Sequence, residues 1–101
     1  MFLEFDAAKD AVNQGKHGLS LAIAEHFDWE HEPVQPAKAV GGEARWKILA
    51  TADDQLVAAI FTMRGAVARI ISVRRASRQE RTHYEQKVRR ARSGEPGVDG
   101  G

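Results

Sequence analysis

Three strand patterns lie close together between residues 45 and 74. Residues 45–51 alternate between polar and apolar side chains, residues 55–63 are almost entirely apolar, and residues 67–74 form a third extended segment. Alternation is typical of a strand with one buried face, and a continuous apolar run is typical of a central strand. Parallel neighbours need a crossover of about a dozen residues or more, so the short connections here predict antiparallel hairpins.

Weaker patterns precede this sheet. Residues 2–5 are predicted to form a short strand, and residues 7–14 and 21–28 are predicted to form two helices, since each has a capping side chain before it and apolar residues on one side. Residues 30–43 contain two prolines and two glycines, and they are predicted to be a loop with a short edge strand near Val34.

A third helix follows the sheet. Ser77 and Glu80 have the spacing of a capping box, which predicts a helix running to about Arg92. The glycine-rich residues 93–101 are predicted to be a disordered tail. The chain is therefore expected to form one domain, residues 1–92, of the α+β class: N-terminal helices packed on a small twisted antiparallel sheet, with a C-terminal helix.

The charge is distributed unevenly along the 101 residues. The formal net charge is only +1, but residues 1–63 carry five Lys/Arg against ten Asp/Glu, whereas residues 64–92 carry ten Lys/Arg against two. Nine of those ten cations are arginine, whose guanidinium group binds phosphate oxygens through two hydrogen bonds. The basic segment indicates a phosphate-bearing partner, or alternatively a solvated helix face with a basic end.

Several classes of protein are excluded by the composition and the motifs. There is no cysteine, so disulfides, thiol nucleophiles and thiolate metal sites are excluded. The sequence contains no HExxH, no GxSxG and no phosphate-binding P-loop, and we expect neither a metal nor another cofactor. No apolar run approaches the ~20 residues of a membrane span, and no signal-peptide pattern opens the chain, so a cytoplasmic protein is expected.

Lys16 and His17 stand together between Gly15 and Gly18. Gly15 is predicted to end the first helix, which would place the lysine–histidine pair in a turn. The imidazole of histidine exchanges protons near neutral pH, and a neighbouring lysine attracts phosphate. The alternative is a solvent-exposed histidine in a loop with no role in chemistry.

The arginines of the predicted strands are a second group of candidates. Arg64 is expected near Arg69 at the turn between two strands, and Arg45 begins a neighbouring strand with Glu43 on the same side. Cations repeated on one sheet surface repel each other and so lower stability. The binding of an anionic ligand would explain why they are present. Alternatively, the charges protect a sheet edge, and Glu43 only neutralises Arg45.

Regular alternation also makes a prediction for the last strand. It places Ser72 and Arg74 on one face of the sheet and Arg69 on the other. Arg69 either has a role in binding or only forms an ion pair with Glu80 or Glu85.

Three segments together resemble the BrnT family of type II toxin–antitoxin toxins. FDAAKDAVNQGKHGLSL (residues 5–21) is similar to the opening motif of that family, and GEARWKIL (42–49) to its Gly-Glu-x-Arg strand start. IFTMRGAVARIISVRRASRQERTHYE (60–85) is similar to its closing motif. Phe5 stands where the family usually has tryptophan, and Leu21 where it has phenylalanine, so the departures do not affect charged residues.

The resemblance implies a RelE-like fold and an endoribonuclease that needs no metal, inhibits translation and is neutralised by an antitoxin. That partner would be a BrnA-like ribbon–helix–helix protein. The toxin would contact operator DNA only through this antitoxin. The candidate catalytic residues are Lys16, His17, Glu43, Arg45, Arg64 and Arg74. The candidate RNA-binding residues are Arg69, Arg75, Arg78, Arg81 and Tyr84.

Two alternatives stay open. The same basic surface would also suit a non-catalytic module that binds RNA or an antitoxin. In addition, Tyr84 and Val88 lie four residues apart, which is the spacing of a stripe of packing residues on one side of a helix. Tyr84 is therefore either part of this packing stripe or a residue that stacks on an RNA base.

Overall fold

The computed structural model describes residues 2–93, with side chains described for residues 2–91. Its elements in chain order are β1 (Phe2–Glu4), α1 (Ala7–His17), a 3-10 helix (Leu21–His26), β2 (Val34–Val40), β3 (Glu43–Ala52), β4 (Gln55–Arg64), β5 (Val67–Arg75) and α2 (Arg78–Ser93). The predicted tail lies outside the described residues except for Ser93, which ends α2.

The five strands form one mixed sheet in the order β1-β5-β4-β3-β2. Three neighbouring pairs are antiparallel, as the short connections predicted, but β1 runs parallel to β5. The prediction of a wholly antiparallel sheet is therefore wrong at β1. The hairpin argument applies only to consecutive strands, and the chain between β1 and β5 contains every other strand.

The edge strand β2 is longer than predicted. It pairs with β3 over most of its seven residues, with Pro36 opposite Trp46 and an irregular register between Ala37 and Val40. A proline is tolerated here because β2 is an edge strand and one side of its backbone needs no partner.

Two-residue turns join β2 to β3 and β3 to β4. Gly41 and Gly42 have φ angles of 59° and 79°, and Asp53 and Asp54 have φ angles of 51° and 62°. Two consecutive left-handed residues form the turn whose twist matches that of a hairpin. Aspartate is one of the few side chains that adopt this conformation readily, so the second turn forms without a glycine.

The first helix extends beyond its predicted end. Asp6 caps its start by accepting hydrogen bonds from two backbone N–H groups. Gly15 lies inside α1 instead of ending it, and the helix continues to His17. The stop is Gly18, which has a φ of 69° and donates its backbone N–H to the Gln14 carbonyl at 2.9 Å. Gly15 is tolerated because it is exposed and costs only about 1 kcal/mol relative to alanine.

The second predicted helix is a 3-10 helix over Leu21–His26, shorter than the α-helix expected over residues 21–28. Asp10 of α1 fixes its start, because its carboxylate accepts hydrogen bonds from the Ser20 hydroxyl at 3.0 Å and the Leu21 N–H at 2.7 Å. The Leu21 N–H bond, together with those from side chains, holds the pKa of Asp10 below its usual value.

One face of the sheet carries the hydrophobic core. The 3-10 helix and the segments beside it cover this face with Leu19, Leu21, Ile23, Ala24 and Phe27. The sheet contributes Ile48, Ala50, Ala52, Val57, Ala59, Phe61, Ala68, Ile70 and Val73. Trp29 closes one side of this core with an edge-on contact to Phe61, the ring centroids being 5.1 Å apart.

Asn13 joins α1 to the edge of β5. Its side-chain amide donates to the carbonyl oxygens of Leu19 and Val73, both at 2.8 Å, and its side-chain oxygen accepts the Val73 N–H at 3.1 Å. It is only 4% exposed. The side chain thus satisfies backbone groups of β5 as a neighbouring strand would, and it fixes the helix that carries Lys16 and His17.

Candidate nucleic-acid interface

The sheet face opposite the core carries arginines from β4 and β5. Thr62 pairs with Arg69, whereas Ala58 pairs with Arg74. Side chains alternate along β4, so these two positions and their partners face the same way. The prediction that Arg69 and Arg74 lie on opposite faces is wrong, because the register shifts between Ile60 and Phe61 and a bulge adds one residue to β5.

The strand β3 adds two more cations to this face. Trp46 packs against the core, so its neighbours Arg45 and Lys47 point to the opposite side. Lys47 lies beside Ile60, which in turn lies beside Ser72 of β5. Arg64 follows Thr62 by two positions and shares its face. We call the surface formed by Arg45, Lys47, Arg64, Arg69 and Arg74 the basic face.

Lys16 and His17 border the basic face. They belong to the last turn of α1 and not to a loop, which corrects the predicted turn. Both line a groove of about 330 Å³ whose opposite wall is Ile71 and Ser72, and Lys9 adds a third cation. His17 is half-buried and Lys16 is exposed. The pair is therefore presented by a helix, and β5 completes the groove.

Carboxylates partly neutralise the arginines at one end of the basic face. Glu43 contacts Arg64 across the strands, with 3.6 Å between Oε2 and a guanidinium nitrogen, so it does not serve only to neutralise Arg45. Arg69 binds Glu4 at 2.8 Å and lies 3.9 Å from Asp6, which corrects the expected pairing with Glu80 or Glu85.

Arg45 is different from its neighbours. It takes part in no ion pair in the part of the chain that the structure describes. Its Nε is buried without a hydrogen-bond partner among the described residues. A buried donor without an acceptor is unusual and costs free energy.

Glu80 organises the other end of the basic face. Its carboxylate accepts two hydrogen bonds from Arg74 at 2.7 and 2.9 Å and one from Lys47 at 2.7 Å. The predicted capping box is present, since Glu80 also accepts the Ser77 N–H at 2.9 Å and the Ser77 hydroxyl accepts the Glu80 N–H at 3.1 Å. Arg74 above all, then Lys47, holds the pKa of Glu80 far below its usual range, and Glu80 raises the pKa of Arg74.

The remaining candidates lie far from Arg64. Arg75, Arg81 and Tyr84 line one pocket with Thr51, and the Tyr84 hydroxyl lies 2.9 Å from the Thr51 hydroxyl. Arg75 is six residues beyond Arg69 in β5, a distance of about 20 Å along a strand. Arg78 is exposed in the first turn of α2. Tyr84 is thus held beside Arg75 and Arg81, at the end of the sheet opposite to Arg64.

Sequence reasoning missed Lys47, His83 and the role of Glu80 outside its helix cap. Lys47 sits in a strand among apolar residues, where alternation predicts its face but not its partner.

Among the described residues, no group of three or more histidines, aspartates or glutamates is placed to hold a metal ion, and no helix is long and apolar enough to cross a membrane.

The fold and this surface define a small α+β protein with a sheet face rich in lysine and arginine. A family model described as "Ribonuclease toxin, BrnT, of type II toxin-antitoxin system" matches residues 5–80. That match covers well over half of the chain, and the chain therefore belongs to the BrnT family of ribonuclease toxins, as the resemblance predicted. Membership implies RNA as substrate and a cognate antitoxin as partner. Among curated proteins, none matches the chain significantly.

Proposed function

We propose that this protein cleaves RNA on the basic face, without a metal ion, and that the cleavage inhibits translation in the cytoplasm. The observation that carries the proposal is the convergence of cations from β3, β4 and β5 on one sheet face beside the groove of His17. We also propose that residues 1–92 form a single toxin domain with a RelE-like fold, followed by the tail.

The chemistry requires a proton acceptor, a proton donor and cations. A base takes the proton of a ribose 2′-hydroxyl, the 2′-oxygen attacks phosphorus, and the bond from phosphorus to the 5′-oxygen breaks. An acid then protonates the departing 5′-oxygen, leaving a 2′,3′-cyclic phosphate and a 5′-hydroxyl. Fixed cations stabilise the negative charge that develops on the phosphate oxygens.

We assign the proton transfer to His17, because it lines a groove that opens beside Ser72 of the basic face. Lys16, Arg45 and Arg64 are assigned to the phosphate. Glu43 is the second candidate for proton transfer, and its long contact with Arg64 leaves its carboxylate available for this role. Arg74 is proposed to act through Glu80, with which it forms two hydrogen bonds.

We further propose that the antitoxin is a BrnA-like ribbon–helix–helix protein that covers the basic face and so neutralises the toxin. The cations of the basic face favour a partner that presents carboxylates to them. The toxin would then reach operator DNA only through this antitoxin.

A time course on purified total RNA in the presence of EDTA tests the proposal. We expect cleavage by the wild-type protein, a rate about 100-fold lower for His17→Ala, and a comparable loss for Arg64→Ala. Lys38→Ala removes an exposed lysine of β2, outside the basic face, and serves as the matched control. Wild-type rates in both site variants would disprove the assignment. RNA that is bound but stays intact would instead favour the non-catalytic binding module.

A further inference from the structure

We propose that a pocket between β2, β3 and α2 is a nucleotide subsite that binds one phosphate and one unpaired base of the RNA. Its lining includes Gln35, Lys47, Gln79, Glu80 and His83. The inference rests on the proposed function, because it names the part of the RNA that this end of the basic face would bind.

The charge at this pocket favours a phosphate group. Lys47 and Arg74 share the single carboxylate of Glu80, so the cluster keeps one positive charge. The ammonium group of lysine has three donors, and Glu80 takes one of them. The Lys47 side chain is 19% exposed, so solvent still reaches it in the pocket. A single phosphate group of RNA matches this remaining charge.

The lining of the pocket suits an unpaired base. The amides of Gln35 and Gln79 each offer a donor and an acceptor, as the edges of an unpaired base do. His83 is half-buried and brings a flat ring, and Leu49 brings an apolar surface. The pocket volume is about 250 Å³. That is below the range of about 300–1,000 Å³ for drug-sized ligands, so it suits one base and not a longer segment.

The pocket lies in line with the groove of His17 across the sheet. Gln35, Lys47, Ile60 and Ser72 lie side by side on four neighbouring strands. Lys47 is therefore two strand spacings, about 10 Å, from the groove wall that faces His17. One RNA strand that crosses the sheet would contact both places, and the nucleotide in this pocket would flank the one that is cut.

Glu80 is a positioning residue in this arrangement. It is 8% exposed and its carboxylate is occupied by Lys47, Arg74 and the Ser77 N–H. Its role is to hold the Lys47 ammonium at the pocket wall, while Arg74 on its other side leaves the cluster with one positive charge.

Binding of RNA that cannot be cut tests the subsite separately from cleavage. The probes are four 2′-O-methyl oligonucleotides that differ in one base, and the readout is fluorescence anisotropy at several salt concentrations. Lys47→Ala is expected to weaken binding about tenfold and to lower the salt slope by about one, while Lys47→Arg preserves both. The double variant Gln35→Ala/Gln79→Ala is expected to reduce the preference among the four bases about tenfold. Lys38→Ala is the matched control.

The outcomes separate the two proposals. Unchanged affinity and salt slope in Lys47→Ala, or an unchanged base preference in the glutamine double variant, would overturn the subsite even if the wild-type protein cuts RNA. The glutamine variant leaves the Glu80 ion pairs intact, so a loss of folding in Lys47→Ala does not weaken the test. Conversely, the wild-type protein could cut no RNA while the variants show the expected changes in binding. That result would support the subsite and disprove the proposed nuclease activity.

Discussion

The two faces of the sheet are built from the same strands but differ in chemistry, since the core face is apolar and the basic face carries cations beside the buried Leu49 and Ala58. Ile48 of β3 is fully buried on the core face, and Lys47 beside it forms an ion pair on the basic face. The core face is covered by the 3-10 helix and its flanking segments. The basic face has α1 along one border and the start of α2 along the other.

Because of this difference, we expect the core face to determine mainly the stability of the fold and the basic face mainly the binding of RNA. Apolar burial contributes roughly 25 cal/mol per Å², so the core face supplies most of the stability. Exposed ion pairs contribute at most about 1 kcal/mol each, so the exposed Arg64, with its long contact to Glu43, is not needed for folding. Substitutions on the two faces should therefore differ in which property they change.

The largest effect on stability is expected on the core face. Ile48→Ala removes a fully buried side chain from the middle of β3 and should lower the free energy of unfolding by about 3 kcal/mol. Urea denaturation measures this change. RNA binding by the folded fraction should stay at the wild-type level, and a selective loss of RNA binding would show that the two faces are not independent.

The intermediate effect is expected at Glu80, the one buried carboxylate among the described residues of the basic face. Glu80→Gln keeps a side chain that can accept the Ser77 N–H but removes the charge between Lys47 and Arg74. At about pH 7 we expect a loss of about 2 kcal/mol in the free energy of unfolding.

The pH dependence of that loss follows from the lowered pKa of Glu80. A carboxyl group whose folded pKa is lowered stabilises the protein above its ordinary pKa of 4.5, and this contribution is lost as the pH falls below that value. The difference between wild type and Glu80→Gln should therefore shrink in denaturation experiments between about pH 5 and pH 2. An equal difference at both ends of this range would refute the charge-based explanation.

The smallest effect on stability is expected for Arg64→Ala. Arg64 is exposed and its contact with Glu43 is long, so the free energy of unfolding should change by less than about 0.5 kcal/mol. The same variant is expected to lose RNA cleavage, as described above. If denaturation showed a loss as large as that of Ile48→Ala, Arg64 would be a structural residue and the contrast between the faces would fail at this position.

The strands β3, β4 and β5 were predictable because their patterns are strong and their connections short. The observed strands begin and end within two residues of the predicted ones. Parallel pairing of β1 was not predictable, since a three-residue strand specifies no neighbour. Gly15 was misleading as a helix stop, because an exposed glycine inside a helix is tolerated and Gly18 has the conformation that ends it.

The candidate site was predictable only in part. Local sequence alone shows that Lys16 and His17 are adjacent and that arginines lie in β3 and β4. Lys47 and Glu80 are 33 residues apart, and only the packing of α2 on the sheet brings them together. The bulge in β5, which places Arg69 and Arg74 on one face, has no signal in the alternation of the strand.

The most direct test of the account is to map bound RNA onto the two faces. Amide chemical shifts would be followed by NMR while a 2′-O-methyl oligonucleotide is added to the wild-type protein. We predict that the largest changes occur at Arg45, Arg64 and Ser72 and that Ile23 and Ala24 of the 3-10 helix stay unchanged. Changes centred on the 3-10 helix, with the basic face unaffected, would show that the basic face does not bind RNA.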